Sequence, residues 1–193
     1  MVKLIGYKKV KTAVFISGTG SNLKSLIKFS KTSRSPISIE LIVSNNPKAK
    51  GLNYGRISKI RRKIFNFEKK NRIENKVLST LKKYNIKVIL LAGFMKILSK
   101  KFIQNFKGKI LNIHPSLLPK YKGLNTHQRV LSNNEKYSGC TVHFVDTKLD
   151  SGKIILQKKV KISINETKKS LTKKVLAQEH KLYPKAILKV FNL

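Results

Sequence analysis

The amino-acid sequence predicts an α/β domain built on a mostly parallel sheet. Three features point there. Short apolar runs rich in β-branched residues recur along the first two thirds of the chain. Stretches with apolar residues at helical spacing lie between them. Two late apolar runs stand too close together for a crossover helix, so they must form an antiparallel hairpin.

Thr12 to Ser17, TAVFIS, is the first buried strand. Gly18-Thr19-Gly20-Ser21-Asn22 follows and opens a helix in which Leu23, Leu26 and Ile27 share one face. Ile37 to Ser44 is the second strand, and Pro47 and Gly51 punctuate its exit loop. Ile64 to Phe67 reads as a short third strand. Ile73, Val77, Leu81 and Tyr84 form a helical stripe ahead of the fourth strand, Val88 to Ala92. Ile110 to Ile113 is the fifth. Thr141 to Val145 and Ile154 to Val160 make the edge hairpin. A closing helix from Thr167 to Phe191 turns Leu171, Val175, Leu182 and Ile187 inward and bends at Pro184. With no repeat, low-complexity tract or linker, residues 1–193 form a single Rossmann-like domain with an antiparallel C-terminal hairpin at its edge.

Composition narrows the function. At 193 residues and 40% apolar content the chain builds one full core. No apolar run approaches the ~20 residues that span a bilayer, and the N-terminal stretch MVKLIGYKKVKTAVFISG is too briefly apolar for a signal peptide. The single cysteine, Cys140, suits a reducing compartment and a buried apolar role. A cytoplasmic protein is expected. The 43 Lys and Arg against 8 Asp and Glu, a net +35, attract polyanions without specificity. The lysines are scattered through every segment with no aromatic–basic stripe, so compositional drift explains them better than patterned nucleic-acid recognition.

The most informative segment is Leu111 to Gly123, LNIHPSLLPKYKG. Asn112 and His114 lie two apart at the end of a strand, so both side chains leave on one side. Pro115 then forces the chain into a loop. A lone Asn-x-His at a strand end is more often a turn cap than a site. Here the pair offers an oxyanion donor beside a group that moves protons, as acyl transfer to an amine requires. The glycine turn at Gly18 to Asn22 has two readings of its own. It is either a tight strand-to-helix turn or a phosphate cradle at a helix N-terminus.

LNIHPSLLPKYKGLNTH, with LLAGFMKILS before it and GCTVHFVDTKLDSGKIILQ after it, resembles the phosphoribosylglycinamide formyltransferase family, folate-dependent enzymes of purine synthesis. The resemblance runs from about Thr12 to about Phe191. It implies transfer of formyl from 10-formyltetrahydrofolate to the amine of 5'-phosphoribosylglycinamide, with Asn112, His114 and Asp150 catalytic. It assigns Gly20, Ser21, Asn22 and Glu179 to the ribonucleotide. Folate contacts fall to Arg72, Met95, Lys96, Ile97, Leu98, Asn112, Asp146, Thr147, Lys148, Leu149 and Asp150. Lys96 stands where the family usually carries Arg. Asp150 reads by itself as a turn residue. By resemblance it lies against His114, where a carboxylate favours the imidazolium. Its persistence, with Asp146 and Glu179, stands out in so acid-poor a chain.

His143 is expected to be a satisfied structural histidine near the site, and His127 to shape the loop after Gly123. No Cys/His cluster has metal-ligand spacing, so no metal is expected. Small-molecule substrates, no membrane, and a monomer or homodimer are expected. Two alternatives remain open. One is formylation of methionyl-tRNA, in a family that carries a further C-terminal domain. The other is a decayed formyltransferase acting as a basic RNA-binding module, against which the intact Asn112, His114 and Asp150 argue.

Overall fold

A computed structural model describes residues 8–67 and 70–193. The first seven residues of the stretch weighed as a signal peptide lie outside them. Seven strands form one sheet in the order β3-β2-β1-β4-β5-β6-β7. Strands β1 (Val10–Ile16), β2 (Ile37–Ser44), β3 (Arg61–Ile64), β4 (Val88–Leu91) and β5 (Lys109–His114) run parallel. β6 (Tyr137–Phe144) pairs antiparallel with β5, and β7 (Ile154–Lys161) antiparallel with β6, the edge hairpin that the spacing requires.

Alternation along β1 shows how the sheet makes two cores. Val14 and Ile16 face one side, with Leu23 and Leu26 of α1 (Ser21–Ser30) and Leu171, Val175 and Tyr183 of α6 (Lys168–Val190). Ala13 and Phe15 face the other, with Val77 and Leu81 of α3 (Lys70–Lys83) and Phe102 of α4 (Lys100–Asn105). These side chains are almost wholly buried, so the parallel strands read as continuous apolar runs.

Three expectations change. The third strand is Arg61–Ile64 rather than Ile64 to Phe67. Register with β2 decides it, Leu41 opposite Arg61 through Ser44 opposite Ile64, whereas Phe67 enters the core after the strand has ended. All four β3 side chains are exposed, so no apolar signal marks it. Three short helices were not legible: α2 (Leu52–Ile57), α4 and α5 (Thr126–Ser132). Lastly, α6 is one continuous helix through Pro184. Pro184 has no N–H for the His180 carbonyl one turn back, and the Ser25 hydroxyl of α1 donates to that carbonyl at 3.0 Å instead.

The charge also has a place in the fold. The two edge strands carry Arg61, Arg62 and Lys63 on β3 and Lys158, Lys159 and Lys161 on β7. Charged edges discourage strand addition from other chains.

Candidate active site

The chain turns in opposite directions from β1 and β4, which lie side by side at the centre of the sheet. Open α/β sheets bind ligands at such a switch point, beyond the carboxyl ends of the strands. A cavity of about 700 Å³ lies there, within the range of small-molecule sites. Its wall takes in the glycine turn after β1, residues 91–98 after β4, Asn112 to Pro115 at the end of β5, and residues 145–150 after β6.

The glycine turn is shaped by close contact. Gly20 has φ +73°, and a Cβ there would lie 2.6 Å from the Gly51 Cα. Both its conformation and its neighbour therefore demand glycine. The first α1 bond runs from Lys24 N–H to the Gly20 carbonyl, which leaves the Ser21, Asn22 and Leu23 N–H groups outside the helical ladder and free to meet an anion. No side chain caps this helix.

Asn22 and Glu179 close that end. The Asn22 amide donates to Glu179 Oε2 at 2.6 Å, and the Asn22 Oδ1 is buried without a partner. Burial pushes the Glu179 carboxyl above its ordinary range, and the Asn22 hydrogen bond partly opposes this. A ligand hydroxyl or amine could satisfy both groups.

The same cavity holds the sequence-derived trio. β5 ends at His114, and Pro115 begins the loop. The loop is pinned to β6 by Thr141, which donates to the Ser116 carbonyl at 2.6 Å and accepts from the Leu118 N–H at 3.1 Å. Asp150, in the left-handed region at φ +46°, accepts from the Gly123 N–H at 2.8 Å through Oδ2. That same oxygen lies 3.4 Å from His114 Nδ1. Asp150 Oδ1 lies 3.5 Å from the Asn112 amide nitrogen. Both His114 and Asp150 have under a tenth of their side-chain surface exposed. On its far side His114 Nε2 meets the Tyr121 carbonyl at 2.9 Å, so both ring nitrogens face acceptors.

His143 proves satisfied, as expected, and does more than fill space. Its Nδ1–H donates to the Phe144 carbonyl at 2.7 Å, so Nε2 is free to accept from the Asn112 amide at 3.2 Å. Burial pushes its pKa below the usual histidine value, which keeps it neutral and able to accept. The Asn112 amide nitrogen is thus oriented by His143 and Asp150. His127 lies in the first turn of α5, with Nδ1 buried and unpartnered; burial is the largest cause of its lowered pKa.

The other expected residues divide by position. Met95, Lys96, Ile97, Leu98, Asp146, Thr147, Lys148 and Leu149 all line the cavity. Met95, Ile97 and Leu149 are at least half exposed and give its mouth an apolar rim. The loop carrying Met95 is tied to β1 by Ser17, whose hydroxyl accepts from the Met95 N–H at 2.7 Å and donates to Asn45 at 2.5 Å. Arg72 stands apart, exposed on α3 and outside the lining. Among the described residues, no group of three or more His, Cys, Asp or Glu is placed to hold a metal ion, and no helix is long and apolar enough to cross a membrane. Sequence reasoning missed Ser17, His143 as a partner of Asn112, and Tyr121. Their roles arise from pairing across the fold and leave no local signal.

This sheet, with the Asn-His-Asp cluster at its strand tips, defines a class of protein. The chain belongs to the formyl transferase family, whose model matches residues 10–187. Similar proteins narrow this. The chain is 39% identical over 177 residues to the phosphoribosylglycinamide formyltransferase of Escherichia coli (strain K12), covering 90% of this chain and 84% of that one. It is 42% identical over 183 residues to the human trifunctional purine biosynthetic protein adenosine-3, covering 93% of this chain. Of that longer protein it spans only 18%, about a fifth. The crystal structure of phosphoribosylglycinamide formyltransferase from Brucella melitensis superposes with a TM-score of 0.89 at 40% identity, over 95% of this chain and 96% of that one.

Proposed function

We propose that this protein transfers the formyl group of 10-formyltetrahydrofolate to the amine of 5'-phosphoribosylglycinamide, a step of de novo purine biosynthesis. The observation that carries it is the meeting of Asn112, His114 and Asp150 in a cavity that an uncapped helix N-terminus also lines. The phosphate of the ribonucleotide lies on the Gly20-Ser21-Asn22 turn, and Glu179 takes the ribosyl end. The formyl donor enters between the 95–98 and 146–150 segments, whose apolar rim suits a flat ring system. Arg72 remains a candidate folate contact on the resemblance alone.

The amine lone pair attacks the formyl carbon, a C–N bond forms, and the carbonyl electrons move to oxygen. The Asn112 amide donates to this oxyanion, and the His114 imidazolium, anchored by Asp150 and Tyr121, adds positive charge beside it. Collapse breaks the bond to the folate nitrogen. That nitrogen takes a proton while the attacking ammonium loses one, through His114 or an ordered water. Holding both substrates in register supplies much of the acceleration.

Purified protein supplied with both substrates should yield formylated ribonucleotide and tetrahydrofolate. Inorganic phosphate should inhibit competitively against the ribonucleotide and not against the folate. The excess of lysine predicts salt-sensitive, unselective binding to RNA. Formylation of methionyl initiator tRNA in place of the ribonucleotide would overturn the assignment.

A further inference from the structure

We propose that Glu135 and Tyr121, outside the cavity lining, form a clamp that sets the orientation of His114. The inference rests on the formyl-transfer chemistry proposed above, in which His114 is the charged group beside the oxyanion. Glu135 is one of only 8 acidic residues in the chain, and it is used on the loop that passes behind His114. Its Oε1 accepts from the Tyr121 hydroxyl at 2.9 Å and from Lys120 Nζ at 2.8 Å. The same hydroxyl accepts from the Asn133 amide at 3.0 Å, and the Arg129 guanidinium lies over the ring, 5.4 Å from its centre.

Fixing this ring has a consequence for the backbone. Tyr121 sits at φ +58°, a region that bulky residues rarely adopt, so the surrounding contacts must hold it there. In that conformation its carbonyl points at His114 and receives Nε2–H at 2.9 Å. The hydrogen bond made by one ring nitrogen of a histidine decides the state of the other. With Nε2–H committed to Tyr121, Nδ1 is the atom presented to Asp150. Two residues on, the Gly123 N–H of the same loop holds Asp150 from the other side. The loop at Tyr121 to Gly123 therefore brackets the His114–Asp150 pair, and Glu135 anchors it. Tyr121 and Glu135 touch no reacting atom; they are positioning residues.

Tyr121→Phe removes only the hydroxyl link. It should lower kcat about three- to tenfold, less than the full worth of a hydrogen bond to a carboxylate because the remaining contacts still hold the loop, while both KM values stay within about twofold. Glu135→Ala should do the same, and Glu135→Gln, which keeps an acceptor for the hydroxyl, should restore most of the loss. In ¹⁵N NMR of histidine-labelled enzyme, the His114 Nε2–H resonance should shift or broaden in Tyr121→Phe and Glu135→Ala but not in Glu135→Gln. A kcat unchanged in both Tyr121→Phe and Glu135→Ala would overturn the clamp. So would a raised KM with normal kcat, or a lowered kcat with an unchanged His114 resonance. If the wild-type protein transfers no formyl group, the proposed chemistry fails, and the NMR comparison alone then decides whether Tyr121 and Glu135 orient the ring.

Discussion

Asp150→Asn isolates a charge. Asparagine tolerates the left-handed backbone that Asp150 adopts at φ +46°, and its carbonyl oxygen can still accept from Gly123 N–H, so the loop should keep its shape. What disappears is the anion 3.4 Å from His114 Nδ1. At that distance, with an effective dielectric of ~20, the attraction is about 5 kcal/mol, an upper limit for the effect. Water entering the cavity and the retained hydrogen bonding should offset roughly half. That leaves ~2–3 kcal/mol, or roughly 10²-fold in kcat. The loss should appear in turnover, with KM for the ribonucleotide nearly unchanged, because the cation is needed mainly in the transition state. Steady-state formyl transfer with each substrate varied in turn measures both parameters. A kcat within about threefold of wild type, in a folded variant, would return Asp150 to the role of a turn residue.

His114→Ala should cost on the order of 10²–10⁴ in kcat. His127→Ala should cost far less, and equal losses in the same assay would contradict the assignment. Burial holds His127, His143 and His180 below the ordinary histidine pKa, so the unfolded chain binds more protons than the native one as pH falls. The stability carried by these neutral rings is therefore present above about pH 6.5 and lost below it. Tm should fall between pH 7 and pH 5, and a flat profile would refute this. Burial, with Glu179 adding to it, pushes the Cys140 thiol up to about 12. Iodoacetamide at pH 8 should leave it unmodified in the native protein and alkylate it after denaturation, as mass spectrometry will show. Alkylation of the native protein would refute its burial.

The glycine turn bears on which tests are informative. Replacing Gly20 by valine would drive a side chain into Gly51, so the fold would suffer along with any phosphate site. Competition by inorganic phosphate separates the two.

Much of this protein is determined locally and can be read from the residues themselves. The apolar runs of β1, β2, β4 and β5 mark buried strands because a parallel sheet covered on both faces leaves no polar side. Pro115 ends β5 because it cannot join a sheet, and Asn112 and His114 share a direction because strand side chains alternate. The short gap before β7 compels an antiparallel pair. Tertiary structure decided the rest. β3 carries no apolar pattern, since an edge strand is defined by its backbone partners. The acceptor for Asn112 is His143, 31 residues away across the β5–β6 register, and Ser25 reaches the carbonyl freed by Pro184 from 155 residues away. Asp150 reads by itself as a turn, and only convergence with His114 makes it more. Hydrogen bonds and ion pairs act over a few ångströms in space, whatever the distance along the chain, so the site's electrostatics exist only once the sheet has brought its loops together.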